Sequence, residues 1–179
     1  MIDYQKHWGQ VKEKWIDAWL PTKKYLENKT CVDIGIWKGV LNAKAKIEFN
    51  TDTVIGVEPF EEHREICKKY LPECVLYESI DDLPEKTTTD VILLHGIICL
   101  LDVHWKEDLG KIFQKIKANT VHIRNLDAYK PCTGKDRETN LYKITDYANA
   151  PDNKTVIAEC QKYGYNVVYK QENVIVLQK

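Results

Sequence analysis

Residues 30–39 read TCVDIGIWKG, and residues 54–59 read VIGVEP. Each stretch is an apolar strand pattern that ends at an acidic residue, Asp33 in the first and Glu58 in the second, and a glycine-bearing turn follows Asp33. Ligands of a parallel α/β sheet bind beyond the carboxyl ends of the strands, so we expect both acids to face one crevice. A carboxylate at the second position can accept hydrogen bonds from two vicinal ribose hydroxyls. The two stretches therefore predict a parallel sheet that binds a nucleoside-containing cofactor.

The rest of the chain continues the alternation of strands and helices. Strand patterns fall at residues 30–34, 53–57, 74–77, 90–94, 120–124, 165–169 and 174–177. Helix patterns fall at residues 4–20, 39–49, 60–71, 105–117 and 153–163, and the inner face of the 39–49 helix is predicted to hold Val40, Ala43, Lys44 and Ile47. The last two strands are joined by four residues, which allows only an antiparallel hairpin. We predict an α/β fold, a three-layer αβα sandwich around a Rossmann-like, mostly parallel seven-stranded sheet with a C-terminal antiparallel hairpin.

Length and charge limit the domain organisation and the partners. At 179 residues, the chain suits a single domain over residues 1–179. We expect residues 1–29 to form an N-terminal helical cap and the polar residues 127–152 to form a substrate-facing insertion. The net charge of -1, from 26 basic and 27 acidic residues, argues against a dedicated nucleic-acid binder and leaves a local basic patch open.

Apolar runs and cysteine spacing bear on the compartment. No run reaches about 18 apolar residues, so no membrane span is predicted. The first residues lack the basic-then-apolar order of a signal peptide. The six cysteines form no C-x-x-C pair, which favours buried free thiols over disulfides or a zinc site. We therefore expect a cytoplasmic protein without a metal.

The pattern resembles the class I S-adenosylmethionine (SAM)-dependent methyltransferases over about residues 30–179. The first motif of that family reads apolar-apolar-Asp-x-Gly-x-Gly-x-Gly. Asp33, Gly35 and Gly39 match it, and Trp37 stands where the middle glycine belongs. The resemblance implies SAM as the cofactor, bound by the turn that these four residues form.

The same resemblance implies a role for each residue of the two strand ends. The cofactor's amino-acid part would approach the backbone closely at Gly35, Asp33 would help to hold its ammonium group through the loop or a water, and Glu58 would accept the ribose hydroxyls. The loop form followed by Glu58-Pro59 is most similar to the FkbM-type branch, which often methylates hydroxyl groups. The usual fifth-strand signature of that branch does not appear in residues 120–127.

The adenine end of the cofactor is matched less well. The third motif of the family commonly reads Gly-Asp-Ala-x-Asp-Leu-Pro, and residues 78–84 read ESIDDLP. Ser79 thus stands in place of the adenine-binding acid, so the adenine contact is expected to be weaker or to come from Asp81. Ile80 is expected to offer its backbone N–H to the ring.

The glycine turn also distinguishes SAM from NAD. The dinucleotide fingerprint G-x-G-x-x-G requires a glycine near position 37, which is Trp37. SAM carries no phosphates, so its loop need not hold a pyrophosphate. The sequence therefore favours SAM over NAD.

Two residues are candidates for the chemistry. Methyl transfer from a sulfonium releases a neutral leaving group, so positioning and proton removal are most of what the protein supplies. His95 follows the 90–94 strand, and its usual pKa of about 6.5 suits a general base, although a histidine there can also bond to the next strand or shape the pocket. Asp127 ends the 120–124 strand region as a candidate base or metal ligand. His122 is predicted to be a packed strand residue. His63 is predicted to lie on a helix far from the strand ends and is assigned no role.

Together these patterns predict a SAM-dependent methyltransferase that acts on a small or medium-sized polar acceptor, by O- or N-methylation. One alternative is a SAM-binding partner or regulatory protein without catalysis. A second is a nucleic-acid methyltransferase that uses basic residues between 130 and 143 to meet phosphates. No Asn-Pro-Pro-Tyr or Asp-Pro-Pro-Tyr sequence follows the 90–94 strand, which weakens base N-methylation.

Overall fold

The structure is a computed structural model, and it describes residues 19–97, 104–124, 151–171 and 174–179. The predicted N-terminal helix up to residue 18 and residues 127–150 of the predicted insertion lie outside the described residues. The helical cap, the insertion and the single-domain assignment therefore stay predictions.

The described residues contain nine strands. They are β1 (Thr30–Ile34), β2 (Asp52–Val57), β3 (Val75–Tyr77), β4 (Thr87–Thr88), β5 (Val91–His95), β6 (Ile116–Lys117), β7 (Thr120–Arg124), β8 (Asn166–Gln171) and β9 (Val174–Gln178). Seven of them form the main sheet in the order β3-β2-β1-β5-β7-β9-β8. Neighbouring strands are parallel except at β9, which is antiparallel to both β7 and β8. The predicted mostly parallel seven-stranded sheet with a terminal hairpin is confirmed.

Helices follow the strands and cover both faces of the sheet. They are α1 (Val40–Phe49), α2 (Glu61–Tyr70), α3 (Trp105–Lys115) and α4 (Asn153–Gln161), with 3-10 helices at Leu20–Tyr25 and Ile80–Asp82. Along β5, Ile92 and Leu94 pack into the cluster that contains α3 and α4 residues, whereas Val91 and Leu93 pack with residues of α1. Side chains of a strand alternate between faces, so a strand that is apolar throughout is buried on both. The three-layer arrangement is thereby confirmed.

Two details differ from the sequence prediction. Ile47 is 68% exposed, so its placement on the inner face of α1 is wrong; Ala45 and Phe49 are buried there instead, in a cluster with Trp19 and Leu26. Their burial depends on residues at least 19 positions earlier in the chain, and the periodicity of α1 carries no information about such a contact. The second difference is the small parallel sheet of β4 and β6, which was not predicted because two-residue strands carry no periodic pattern.

No helix within the described ranges combines the length and the apolar character needed to cross a bilayer.

Candidate functional site

A cleft opens where β1, β5 and β7 end. It holds about 550 Å³ of empty space when its open mouth is included. Its lining residues are Asp33, Gly35, Ile36, Trp37, Val40, Leu41, Asn42, His95, Gly96 and Arg124. Four of the predicted site residues, Asp33, Gly35, Trp37 and His95, thus meet in one cleft. Asn42 and Arg124 were not predicted; the available signals were a polar residue on the buried side of α1 and a basic residue at the end of β7.

Asp33 is a buried carboxylate, and only one of its two oxygens has a hydrogen-bond partner among the described residues. The amide Nδ2 of Asn42 donates to its Oδ2 at 2.7 Å and also lies 3.2 Å from the Thr53 hydroxyl. Its Oδ1 is buried and has no hydrogen-bond partner among the described residues. Burial raises the pKa of Asp33 to about 7; the Asn42 hydrogen bond opposes the rise, and the charge of Glu58 adds to it. A cation that reached Oδ1 would stabilise the ionised form of this group.

The turn after β1 has three residues in the left-handed region. Gly35 has a φ of 80°, and a Cβ there would lie 2.8 Å from Ile97 Cδ1. Trp37 has a φ of 53°, which is uncommon for a residue with a side chain, and it occupies a position where the class I methyltransferase motif has glycine. Gly39 has a φ of 68°, and a Cβ there would lie 2.5 Å from Cys67 Sγ. Gly39 is therefore required for packing of the turn against α2, and it is not among the cleft-lining residues.

Glu58, one residue beyond β2, is buried and already binds three protein groups. Its Oε2 accepts the backbone N–H of Trp37 at 3.0 Å, and its Oε1 accepts the backbone N–H of Phe60 at 3.1 Å. His63 Nδ1 lies 3.2 Å from Oε1. The prediction that His63 lies far from the strand ends is wrong, because α2 starts three residues after Glu58 and its first turn brings residue 63 back to the carboxylate.

The predicted adenine-side residues form a separate group after β3. The hydroxyl and backbone N–H of Ser79 donate to Asp82 Oδ2 at 2.8 and 2.9 Å, which caps the short 3-10 helix there. Asp81 is exposed and lies 3.6 Å from Lys111 Nζ. Ser79, Ile80 and Asp81 do not line the cleft described above. Their contact with an adenine ring stays a prediction.

His95 belongs to a hydrogen-bonded chain of four residues. Its Nε2 lies 2.8 Å from His122 Nδ1, and His122 Nε2 lies 2.9 Å from the Thr22 hydroxyl. That hydroxyl donates to the backbone carbonyl of Trp19 at 2.8 Å. His95 Nδ1 is buried, and no described residue bonds to it.

The two histidines are neutral at pH 7. Burial holds the pKa of His95 well below its usual value, and the nearby His122 and Arg124 lower it further. Burial lowers the pKa of His122 to about 3. The value near 6.5 that supported His95 as a base therefore does not hold, and the alternative reading, a histidine bonded to the neighbouring strand, describes its Nε2. His122 is fully buried, as a packed strand residue is predicted to be, and it also links two other side chains.

Asp127 lies outside the described residues, so its role stays a prediction. Across the described ranges, no group of three or more histidine, cysteine or acidic side chains could hold a metal ion. The described cysteines that are free and buried are Cys31, Cys67, Cys74 and Cys160, as predicted. Burial raises the pKa of each of these thiols, so they are poor nucleophiles and poor metal ligands.

Neither a family model nor a curated protein matches the chain. Solved structures do match it. A SAM-dependent methyltransferase from Thermotoga maritima aligns with a TM-score of 0.57 at 19% identity, over 97% of this chain and 98% of that one. A TehB-like SAM-dependent methyltransferase from Corynebacterium glutamicum aligns with a TM-score of 0.58 at 14% identity, over 99% and 96%.

An O-methyltransferase family protein from Burkholderia thailandensis gives a TM-score of 0.66 at 13% identity, over 98% of this chain and 58% of that one. At such identities the likeness is one of fold. The chain therefore has the fold of the class I SAM-dependent methyltransferases.

Proposed function

We propose that the protein is a SAM-dependent methyltransferase that transfers a methyl group to an oxygen or nitrogen of a small or medium-sized polar acceptor. The observation that carries this proposal is the free Oδ1 of Asp33, which is buried in a residue that lines the cleft. SAM carries an ammonium group and a ribose, and the chain has one buried acid for each. The chain shares its fold with solved structures of SAM-dependent methyltransferases.

The charge at Asp33 supports the amino-acid end of SAM. A buried carboxylate is costly unless a counter-charge or hydrogen bonds compensate it. Asn42 satisfies only Oδ2. An ammonium group at Oδ1 would supply both the missing donor and the missing positive charge, and it would lower the pKa of Asp33 from about 7.

The acceptor capacity of Glu58 supports the ribose end. A carboxylate offers about four lone-pair positions. Backbone N–H groups of Trp37 and Phe60 and the ring of His63 use three of them, which leaves one on Oε2. One ribose hydroxyl can therefore bind without rearrangement. A second hydroxyl requires that Trp37 or His63 give up its contact.

The chemistry places modest demands on the protein. SAM supplies a methyl carbon bonded to a positively charged sulfur. The chain must hold the acceptor in line and receive the proton that the acceptor loses. His95 is neutral, so its free Nδ1 can accept a hydrogen bond from an acceptor O–H or N–H and take that proton as the new bond forms.

The net charge, the loop form and the cysteines support the choice of acceptor and compartment. A chain with a net charge of -1 suits a small-molecule acceptor better than a nucleic acid. The FkbM-like loop favours a hydroxyl acceptor. Free buried thiols at four described cysteines suit the reducing cytoplasm.

Transfer of a radiolabelled methyl group from SAM into a cell extract tests the proposal. We expect labelled product with the wild-type protein and none with Asp33→Asn, which keeps the shape of the side chain and removes its charge. Asp52→Asn is the matched control, because the Asp52 side chain is 51% exposed and, among the described residues, forms its ion pair with Lys46 alone. SAM binding without any transfer would identify a binding protein instead of an enzyme, and absence of SAM binding would reject the cofactor.

A further inference from the structure

We propose that Thr22 and His122 are positioning residues that fix the tautomer of His95, so that Nε2 of His95 carries the hydrogen and Nδ1 is the free lone pair. The tautomer follows from this structure alone. Its use toward a methyl acceptor rests on the proposed function.

Donor counting gives the direction of the chain. The Trp19 carbonyl can only accept, and the single hydrogen of the Thr22 hydroxyl is donated to it at 2.8 Å. The Thr22 oxygen must then accept from His122, so the hydrogen of His122 is on Nε2. A neutral imidazole has one N–H, and Nδ1 of His122 is therefore an acceptor. His95 must donate to it from Nε2, across 2.8 Å.

The opposite direction is disfavoured at both ends. It would turn the Thr22 hydroxyl away from the Trp19 carbonyl, and it would place an N–H on His95 Nδ1. That atom is buried and has no acceptor among the described residues. Buried N–H groups without acceptors are rarer in proteins than acceptors without donors, so the first direction is the stable one.

A protonated chain is disfavoured as well. A second hydrogen on His122 would be on Nδ1 and would set two N–H groups against each other across the 2.8 Å contact with His95. A second hydrogen on His95 would be on Nδ1, where no described residue accepts it in the free protein. Arg124, at the end of β7, adds a positive charge near His95, and Asp33, from β1, lines the same cleft. Burial raises the pKa of Asp33 to about 7, so this acid only partly offsets a positive charge on the pair at neutral pH.

Packing prevents the rings from exchanging their nitrogens. Thr22 and His122 are fully buried. The Trp19 ring centroid lies 4.4 Å from that of His95 and 5.7 Å from that of His122. A ring flip of either histidine would have to displace this indole. Thr22, in the 3-10 helix at Leu20–Tyr25, therefore orients His95 in the cleft through its contact with His122 in the middle of β7.

The fixed tautomer restricts what His95 can meet in the cleft. Its Nε2 is committed to His122, so Nδ1 is the only ring nitrogen left for a ligand. A lone pair there attracts a group that donates a hydrogen bond and repels one that only accepts. The arrangement selects acceptors that carry an O–H or N–H and selects against tertiary amines and thioethers.

Nitrogen-15 NMR of the full chain, labelled at histidine, tests the inference at pH 7 without any ligand. We expect His95 and His122 each to be protonated at Nε2 and unprotonated at Nδ1. Thr22→Val removes the hydroxyl, and we expect both rings to become mixtures of tautomers. Thr22→Ser restores the hydroxyl and should restore the wild-type pattern, which a purely space-filling role of Thr22 would not require.

Three results separate the outcomes. A hydrogen on Nδ1 of His95, or a charged ring, in the wild-type protein would overturn the proposal without any variant. If His95 and His122 kept their tautomers in folded Thr22→Val, Thr22 would not be a positioning residue. Titration of the same sample with S-adenosylhomocysteine (SAH) tests the proposed function separately: the predicted tautomers without SAH binding would uphold the positioning chain and reject the cofactor.

Discussion

The backbone N–H of Trp37 donates a 3.0 Å hydrogen bond to Oε2 of Glu58, which ties the turn after β1 to the end of β2. The bond forms while Trp37 holds a φ of 53°, a backbone conformation that favours glycine. Trp37 is thus the residue at which backbone strain and the proposed ribose site meet. Binding at Glu58 and the conformation of this turn are therefore expected to be coupled.

The strain at Trp37 can be measured with two variants that both lack the indole. Trp37→Gly should be more stable than Trp37→Ala by about 0.5–1 kcal/mol, because the left-handed conformation costs alanine more than glycine loses in chain entropy. Urea unfolding of the two proteins measures the difference. The same pair of substitutions at Ile66, inside α2, should reverse the order. Greater stability of the alanine variant at position 37 would contradict the strain.

The role of Glu58 can be separated from general stability. Glu58→Ala should unfold more easily by about 1–3 kcal/mol, because two backbone N–H groups lose their acceptor. SAM should raise the melting temperature of the wild-type protein, and this shift should largely disappear in Glu58→Ala. Glu61→Ala, at the exposed start of α2, should keep it. A full SAM-induced shift in Glu58→Ala would mean that the ribose is held elsewhere.

Ligand binding should depend on pH through Asp33. Its pKa is raised to about 7 by burial, so the free protein holds a proton there at lower pH. This raised pKa contributes stability below the unfolded value, and the contribution is lost as the pH rises through about 7. Binding of an ammonium group favours the ionised form, so SAH affinity should increase as the pH rises toward 7 and then level off, with release of a proton.

Isothermal titration calorimetry in buffers of different ionisation enthalpy measures both quantities. Asp33→Asn should bind SAH weakly, without proton release near pH 7. Proton uptake by the wild-type protein, or an affinity independent of pH, would show that Asp33 does not meet the ammonium group.

Gly39 is needed for two reasons, its positive φ and its close packing against Cys67, and the effects of the two can be measured separately. A Cβ at Gly39 would lie 2.5 Å from Cys67 Sγ, whereas a Cβ at Gly164, which also has a positive φ, meets nothing within 4 Å. Gly39→Ala should therefore lose about 1–2 kcal/mol more than Gly164→Ala. Adding Cys67→Ala should recover part of that loss in a double-mutant cycle. Equal losses of stability in the two variants would show that the contact with α2 is not what requires a glycine at position 39.

The sequence predicted the strands well because each carries a local signal. Strand β5 is a short apolar run, β7 alternates polar with apolar residues, and the short connection between β8 and β9 determines their antiparallel pairing. The buried face of α1 was predicted incorrectly at Ile47, because Trp19 and Leu26 determine which residues of that helix are covered.

The sequence predicted those site residues that lie at the end of a recognisable strand. Asp33 and His95 stand at strand ends, and strand ends are readable from apolar runs. The chain from Thr22 through His122 joins residues 100 positions apart, and no periodicity reports such a contact. His63 was missed for a related reason, since helix periodicity describes its face but not the direction of the first turn toward Glu58.

A crystal structure of the protein grown with SAH would show directly whether the cleft binds the cofactor. We expect the ammonium group of SAH at Oδ1 of Asp33 and a ribose hydroxyl at Oε2 of Glu58. An adenosyl compound bound away from both acids, or a cleft that excludes it at saturating concentration, would show that Asp33 and Glu58 do not bind the cofactor.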